Sequence, residues 1–334
     1  MTETLFQEIE NFMLEGEGDF WSLLERLYTE QVQHNKFLQM NSTLAKDLYP
    51  DTPAPIDVDL FKTLNLSSFE GEPQWEWRSS GTTGSRSTVG LKDSRFYDLA
   101  IDTCKKGTHF EDLLDGVRSI TTLVPTTKKW PNSSLAYMFE RLSKGRQVLH
   151  LVEANGQKPG DLTLRDPEII EGFVIPTGIF TTSYMGVKLM ESMDPIEMPP
   201  GSFIVDTGGY KGVVRDHSRE EFVDLAMDKL GLPRENIISE YGMSEMASHF
   251  WSEMVDGREL WKIPRSVHVE ILDPDENGIG QVALHDLLNV WTTTSVITSD
   301  LGEVVDGGYF IPHGRMAGAP LKGCSIVAER AYNA

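Results

Sequence analysis

Ser119-Ile-Thr-Thr-Leu-Val-Pro125 is a short apolar segment that ends at a proline. This pattern is typical of a buried strand. Comparable segments are 147–152, 173–176 and 203–206, and helical patterns lie between them, near 95–115, 133–143, 179–191 and 218–230. Short apolar strands divided by helices are typical of a mostly parallel sheet covered on both faces. The sequence therefore predicts an α/β fold.

The pattern changes after about residue 262. Val267-His-Val-Glu-Ile-Leu272 and Gln281-Val-Ala-Leu284 flank a turn-rich connector and predict a hairpin, and 291–298 and 309–311 add further strands. The first 48 residues instead carry apolar residues at helical spacing. We expect three parts: an N-terminal helical segment at 1–50, an α/β core at 51–262 and a small β-rich subdomain at 263–334.

Composition excludes several classes of function. The 334 residues include 51 Asp and Glu against 30 Lys and Arg, a net charge of −21, so nucleic acid and anionic membranes are disfavoured as main partners. Cys104 and Cys324 have no zinc-ligand spacing. No apolar run has the length of a membrane span, and the acidic N-terminus does not resemble a signal peptide. We expect a cytoplasmic protein with no integral membrane association.

The densest run of hydroxyl and glycine residues is Ser79-Ser80-Gly81-Thr82-Thr83-Gly84-Ser85-Arg86-Ser87. Glycines let a backbone approach phosphate closely, N–H groups and hydroxyls can donate to its oxygens, and Arg86 adds positive charge. The run is not a Walker A loop, because Gly-Lys-Ser/Thr is missing. On composition alone, a flexible surface loop explains it equally well.

Three further strings stand out. Glu240-Tyr241-Gly242-Met243-Ser244-Glu245 follows a predicted strand, although the string alone also suits a helix start capped by Ser244. Ser299-Asp300-Leu-Gly-Glu303 is followed by Gly314-Arg315, each an ordinary turn when taken singly. Asp206-Thr-Gly208-Gly209-Tyr-Lys-Gly212 follows another predicted strand.

In combination and in this order, these motifs resemble the nucleotide-binding signatures of the adenylate-forming ligases. Asp206–Gly212, Pro131-Asn-Ser-Ser-Leu135 and Leu321-Lys-Gly-Cys-Ser325 resemble the acyl-protein synthetase (LuxE-type) family within them. The resemblance covers roughly residue 60 to the end. It implies the N-terminal-type core of those enzymes, with mostly parallel sheets and helices, joined to the small β-rich subdomain.

The resemblance also implies a site for ATP and Mg²⁺. Its phosphate-gripping loop is Ser79, Ser80, Gly81, Thr82, Thr83, Gly84 and Arg86, where Arg86 stands near the position of the family's usual Lys. Its other residues are Gly208 and Gly209 lining the adenine and acyl pockets, Tyr241 and Gly242 beside the adenine, Ser244 at the α-phosphate, Glu245 on Mg²⁺, Asp300 on the ribose and Arg315 at ribose or phosphate.

Two features concern the end of the chain. Family members continue beyond the Gly-Arg motif into a mobile lid with a catalytic Lys, and this sequence ends at residue 334, so we expect the lid to be absent. Cys324 matches the position at which LuxE-type proteins accept the acyl group before passing it to a reductase. A small buried residue in a strand is an equally good interpretation of Cys324.

The expected activity is ATP-dependent activation of a carboxylic acid, by family analogy a fatty acid, and transfer of its acyl group to a protein thiol. Bioluminescence through a fatty-acid reductase complex is the setting that the resemblance implies. One alternative is a ligase of the phenylacetate-CoA ligase type, with CoA or a carrier protein as acceptor. A second is a nucleotide-binding relative without turnover, which the expected loss of the lid Lys and the presence of Arg86 favour.

Overall fold

The computed structural model describes residues 2–79, 86–156, 161–208 and 218–316. Its α-helices in these ranges are α1 (Glu3–Glu15), α2 (Phe20–His34), α3 (Lys36–Leu44), α4 (Arg95–Thr103), α5 (His109–Gly116), α6 (Ser134–Leu142), α7 (Ser183–Glu191) and α8 (Arg219–Leu230). A capping box is present at α8: Ser218 Oγ accepts from the backbone N–H of Glu221, whose side chain accepts from the N–H of Ser218. None of these helices combines the length and apolar character needed to cross a bilayer.

Most strands belong to one large sheet. The strands in the described ranges are β1 (Ile56–Asp57), β2 (Trp75–Arg78), β3 (Thr88–Leu91), β4 (Ser119–Thr122), β5 (Gln147–His150), β6 (Val152–Ala154), β7 (Leu162–Leu164), β8 (Thr177–Thr182), β9 (Phe203–Thr207), β10 (Ile237–Tyr241), β11 (Phe250–Val255), β12 (Arg258–Lys262), β13 (Val267–Leu272), β14 (Gly280–Asp286), β15 (Ser295–Val305) and β16 (Tyr309–Arg315). The sheet order is β13-β14-β15-β16-β12-β11-β10-β9-β8-β4-β5, with β1 beside β15.

Half of this sheet is parallel and half is antiparallel. Strands β5, β4, β8, β9 and β10 run parallel, as short buried strands separated by helices predict. Every residue of β8 is buried, and a Cβ on its Gly178 would lie 2.5 Å from the ring of Phe203, so the two strands pack without room for a side chain there. The predicted α/β class is confirmed.

The antiparallel half continues the same sheet from β11 to β13. β11 and β12 form a hairpin whose turn is Asp256-Gly257, with φ of 49° and 77°, the left-handed conformation that a two-residue hairpin requires. Because β16 pairs with β12, the β-rich segment is hydrogen-bonded to the rest of the sheet. The domain boundaries at 50 and 262 stay a prediction.

The N-terminal helices pack on the core through buried apolar faces, as their spacing predicts. A buried polar contact also fixes them. Gln31 on α2 is fully buried, donates to the carbonyls of Asn289 (2.9 Å) and Val290 (3.1 Å), and accepts from the N–H of Thr294 (3.0 Å). The first helices are therefore joined to a loop that borders the functional motifs.

Two predicted strands are displaced. The strand expected at 291–298 is β15, which begins only at Ser295 and continues to Val305. Residues 173–176 carry no strand; the strand is β8, which begins at Thr177, and α7 begins only at Ser183. Val174 is 88% exposed and Ile175 46%, so these apolar residues do not enter the sheet, whereas Thr177-Gly-Ile-Phe-Thr-Thr182 does. Apolar character alone therefore predicted this strand too early in the sequence.

Candidate functional site

Two of the predicted site residues, Gly208 and Tyr241, lie at the edge of the sheet at which β9 and β10 end. In open parallel sheets this carboxyl edge is where ligands bind, because the loops that leave the strands converge there. Gly208 follows β9 directly and has a φ of 99°, a backbone conformation that disfavours a side chain. Tyr241 is the last residue of β10, one strand away. Gly209 lies outside the described residues.

The Ser/Thr/Gly run is carried by a hairpin that the sequence analysis did not predict. β2 and β3 pair antiparallel on either side of it, and the N–H of Ser79 donates to the carbonyl of Ser87 (3.0 Å). The N–H of Ser87 donates back to Ser79 Oγ (2.9 Å). Arg86 is described and partly buried; Ser80, Gly81, Thr82, Thr83 and Gly84 lie outside the described residues. The hydrogen bonds between Ser79 and Ser87 thus close the hairpin one residue beyond the paired strands.

Three predicted ribose- and adenine-site residues are in contact. Tyr241 Oη donates to Asp300 Oδ2 (3.0 Å), and Arg315 Nε lies 3.2 Å from Asp300 Oδ1. Asp300 and Arg315 are cross-strand partners on β15 and β16. Burial, together with the negative charge of Asp300, raises the pKa of Tyr241 well above its usual value, so its hydroxyl remains a donor. Residues from two separate motifs therefore form one cluster.

The segment after β10 is a turn and not a helix, so the helix-start interpretation of this motif is wrong. Glu245 in this turn is only 3% exposed, and no described residue hydrogen-bonds its Oε1. A buried carboxylate oxygen without a donor is costly unless a cation or another ligand meets it. No group of three or more His, Cys, Asp or Glu residues in the described ranges is arranged to hold a metal. A single carboxylate suits Mg²⁺ only where phosphate oxygens and water complete its shell.

Buried polar side chains at the end of β14 and in the loop after it hold this turn. Asp286 accepts from the N–H groups of Ala247 (3.0 Å) and Ser248 (2.9 Å) and from Ser248 Oγ (2.8 Å). Asn289 donates to the carbonyl of Glu245 (2.9 Å). Burial raises the pKa of Asp286, and these donors oppose the rise. Both residues were missed by the sequence analysis, in which nothing links 286–289 to 245–248.

A second polar contact was also missed. Glu240 and His249 are both buried, and His249 Nδ1 lies 3.0 Å from Glu240 Oε1. Thr207 Oγ1, at the end of β9, donates to the other oxygen of Glu240. Glu240 lies in one of the motifs quoted above, but the sequence pattern assigns no role to it or to His249.

An apolar cavity borders Ser244 but is too small to accept an acid. Its lining is Trp77, Val89, Leu91, Phe96, Tyr97, Ser244, Met246, Ala247, Leu288, Asn289, Val290 and Trp291. The space is enough for about one water molecule. Phe180 and Met185 are buried in the core. The acid-binding pocket is therefore not identified by this cavity.

The cysteines separate clearly. Cys104 is buried beside Ser266, with Sγ 3.8 Å from its Oγ, and burial raises the pKa of the thiol to about 11, so it is a packing residue. Cys324, the predicted nucleophile, lies outside the described residues.

Comparison with known proteins gives distant structural likeness only. No protein-family model matches the sequence, and no curated protein matches it. ATP-bound MatB from Rhodopseudomonas palustris is 14% identical, with a TM-score of 0.47 over 74% of this chain and 49% of that one. The luciferase-like enzyme of the mealworm Zophobas morio is 15% identical, with a TM-score of 0.47 over 80% and 61%. A malonyl-CoA ligase complex with methylmalonyl-CoA and AMP is 16% identical, with a TM-score of 0.48 over 82% and 58%. The chain thus spans about half to three-fifths of these structures, and likeness at this level assigns it no activity.

Proposed function

We propose that this chain activates a carboxylic acid with ATP and passes the acyl group to a thiol. In the first step a carboxylate oxygen of the acid bonds to the α-phosphorus of ATP, and the bond from that phosphorus to pyrophosphate breaks. In the second step a thiolate attacks the acyl carbon, AMP leaves, and the thiol proton goes to solvent. Both steps conserve charge and atoms without any redox partner.

The observation that carries the proposal is the contact of Tyr241 with Asp300 and of Asp300 with Arg315. An aromatic ring, a carboxylate and a guanidinium in one place suit a nucleoside phosphate. The ring can stack on a base, the carboxylate can accept from ribose hydroxyls, and the guanidinium can donate to phosphate. The acidic chain needs such local cations, because its net charge of −21 repels ATP.

Glu245 fits the Mg²⁺ that ATP would bring, since its buried Oε1 has no donor among the described residues. A bound Mg²⁺ supplies charge neutralisation on the phosphate oxygens. Ser244 precedes Glu245 in the same turn and would donate to the α-phosphate. Arg315, with the hydroxyls and N–H groups of the 79–86 loop, would stabilise the negative charge that develops there.

The acceptor is proposed from the resemblance and from chemistry. Cys324 would take the acyl group from the adenylate, and a reductase or carrier protein would take it in turn. A fatty acid is the expected substrate, and ATP and Mg²⁺ are the expected co-substrate and metal. Acyl transfer to CoA or a carrier protein directly is the main alternative.

The test is carboxylate-dependent exchange of pyrophosphate into ATP, with a panel of short, long-chain and aromatic acids. We expect exchange with one class of acid, and its loss in Glu245→Ala. Glu276→Ala is the matched control, because Glu276 is an exposed carboxylate in the turn before β14. Absence of exchange with every acid, with MgATP still bound, would favour a nucleotide-binding relative without turnover.

A further inference from the structure

The carboxylate of Glu240 uses both of its oxygens inside the protein. Oε1 faces His249 Nδ1 at 3.0 Å, and Oε2 accepts from Thr207 Oγ1. Glu240 is 7% exposed and His249 4% exposed, so neither group exchanges this contact freely with water. A carboxylate oxygen accepts hydrogen bonds, which makes His249 Nδ1 the donor in this contact.

The pair lies where the Tyr241–Ser248 segment leaves the sheet and returns to it. Glu240 is the second-last residue of β10, and His249 immediately precedes β11. Backbone pairing of the two strands stops at Tyr241 and Phe250. The hydrogen bond between the two side chains therefore closes the base of a loop that carries Ser244 and Glu245.

The loop backbone also rests directly on this carboxylate. A Cβ built on Gly242 would lie 2.2 Å from Glu240 Oε1 and 3.4 Å from His249 Nδ1. No side chain fits at such a separation, so the absence of a Cβ lets Gly242 pass over the pair. The pair and the glycine fix the path of the loop together.

The imidazole has a further unusual feature. Its Nε2 is buried and has no hydrogen-bond partner among the described residues, although the ring lies 5.6 Å from the ring of Tyr97 and 6.3 Å from that of Trp251. An unpaired buried nitrogen destabilises the folded state, so a residue chosen for packing alone would be apolar here. The polar contact that His249 does make is the hydrogen bond that its Nδ1 donates to Glu240.

We propose that Glu240 and His249 are positioning residues that hold the Tyr241–Ser248 loop in the geometry that adenylation needs. The inference rests on the proposed function for its catalytic consequence, and on the contacts above for its structural one. Asp286 and Asn289 hold residues 245–248 of the same loop through other contacts. With the loop held by both sets of contacts, Ser244 and Glu245 meet the nucleotide without having to be ordered first, which lowers the entropic cost of the bound state.

The variants separate the hydrogen bond from the packing. His249→Asn keeps a donor near the position of Nδ1, whereas His249→Leu keeps bulk and removes the donor. Gly242→Ala disturbs the same carboxylate from the loop side. Tyr309→Phe is the matched control, because Tyr309 Oη donates to Glu253 (2.6 Å) in the same sheet and touches no residue of the loop in the described contacts.

The first measurement is hydrogen–deuterium exchange of the amides of 241–248, which needs no ligand and no activity. We expect His249→Leu and Gly242→Ala to speed exchange of these amides about tenfold, and His249→Asn and Tyr309→Phe to leave it near wild type. Thermal unfolding checks that each variant is folded. If His249→Leu is not folded, His249→Asn serves as the rescue variant. Unchanged protection in folded His249→Leu would overturn the inference.

The second measurement is pyrophosphate exchange by the same variants. We expect kcat at saturating MgATP to fall about tenfold or more in His249→Leu, with a smaller change in KM, because a misplaced group lowers the rate of a bound substrate. Wild-type kcat in that variant would also overturn the inference, while leaving the proposed function intact. If the wild type itself shows no exchange with any acid, the proposed function fails, and amide protection alone decides the role of the pair.

Discussion

Asp300 and Arg315 face each other across β15 and β16, with Arg315 Nε 3.2 Å from Asp300 Oδ1 and the hydroxyl of Tyr241 on the other oxygen of the carboxylate. Tyr241 comes from a different motif than Asp300 and Arg315, and the sheet order makes them meet: β16 lies beside both β15 and β12, three strands from β10. The cluster therefore depends on one feature of the fold, the junction of the β-rich segment with the parallel half.

We expect Asp300→Ala to weaken binding of MgATP by roughly tenfold to a hundredfold, the loss of a charged hydrogen bond. If Asp300 accepts from the ribose, wild type will prefer ATP to 2′,3′-dideoxy-ATP and the variant will not. Calorimetric titration with both nucleotides measures this. Glu303→Ala is the matched control, since Glu303 is on the same strand and pairs with His313 (3.0 Å) instead. Equal affinity of the wild type for ATP and for 2′,3′-dideoxy-ATP would contradict the assignment.

Tyr241→Phe should lower the free energy of unfolding by about 1–2 kcal/mol, because it removes a hydroxyl that donates to an ionised carboxylate. The ring itself would remain packed on Phe250 and Phe310, at centroid distances of 5.5 and 5.2 Å. Chemical denaturation of the single variants and of Tyr241→Phe combined with Asp300→Ala gives the coupling energy of the pair. Additive effects would mean that the hydrogen bond contributes nothing in solution.

Much of the fold follows from local patterns. The helices, the strands at 119–122 and 203–207, the 267–286 hairpin and the cap at Ser218 agree with periodicity and turn chemistry. The β11–β12 hairpin could also have been predicted, since Asp256-Gly257 between two apolar segments is a strong hairpin signal. The strand at 177–182 was misplaced because Val174 and Ile175 are as apolar as buried residues and yet exposed.

The site is only partly readable from the sequence. The order of the motifs along the chain predicts that Tyr241, Asp300 and Arg315 belong to one site. Their contacts, however, depend on the order of the strands in the sheet. The partners of the loop could not be found in this way. Asp286 follows no recognisable motif, and Glu240 meets Thr207 only because β9 and β10 run parallel in one specific register. Such contacts join residues tens of positions apart, and no local spacing encodes them.

The two cysteines make a matched pair for the acyl-transfer proposal. We expect Cys324→Ser to abolish covalent acylation of the protein while pyrophosphate exchange continues, and Cys104→Ser to change neither. Cys104 has a thiol pKa of about 11 because it is buried, so at neutral pH it is neither ionised nor accessible. Mass spectrometry of the denatured protein after incubation with ATP and acid locates the acyl group. Acylation that persists in Cys324→Ser would exclude it as the acceptor.

Stability should fall on acidification because of two histidines beneath α2. Burial lowers the pKa of His268 and of His285, against the opposing charge of Glu270, and the ring of Trp21 lies 4.8 Å from the ring of His268. Since their folded pKa lies below the usual 6.5, the unfolded chain binds protons more readily as pH falls past that value. Their contribution is complete above about pH 6.5 and is lost below it, and solvent screening makes the share of the exposed His268 smaller than that of the buried His285.

Denaturant unfolding at a series of pH values between 5 and 8 measures that slope. Carboxylates elsewhere also contribute at the acid end, so the informative quantity is the difference between variants. His268→Phe keeps an aromatic ring against Trp21 and removes one titrating group, and it should flatten the profile below about pH 6.5. His34→Phe is the control, because His34 is exposed at the last turn of α2 and should leave the slope as in the wild type. Identical profiles for both variants would show that His268 titrates alike in the folded and unfolded chain.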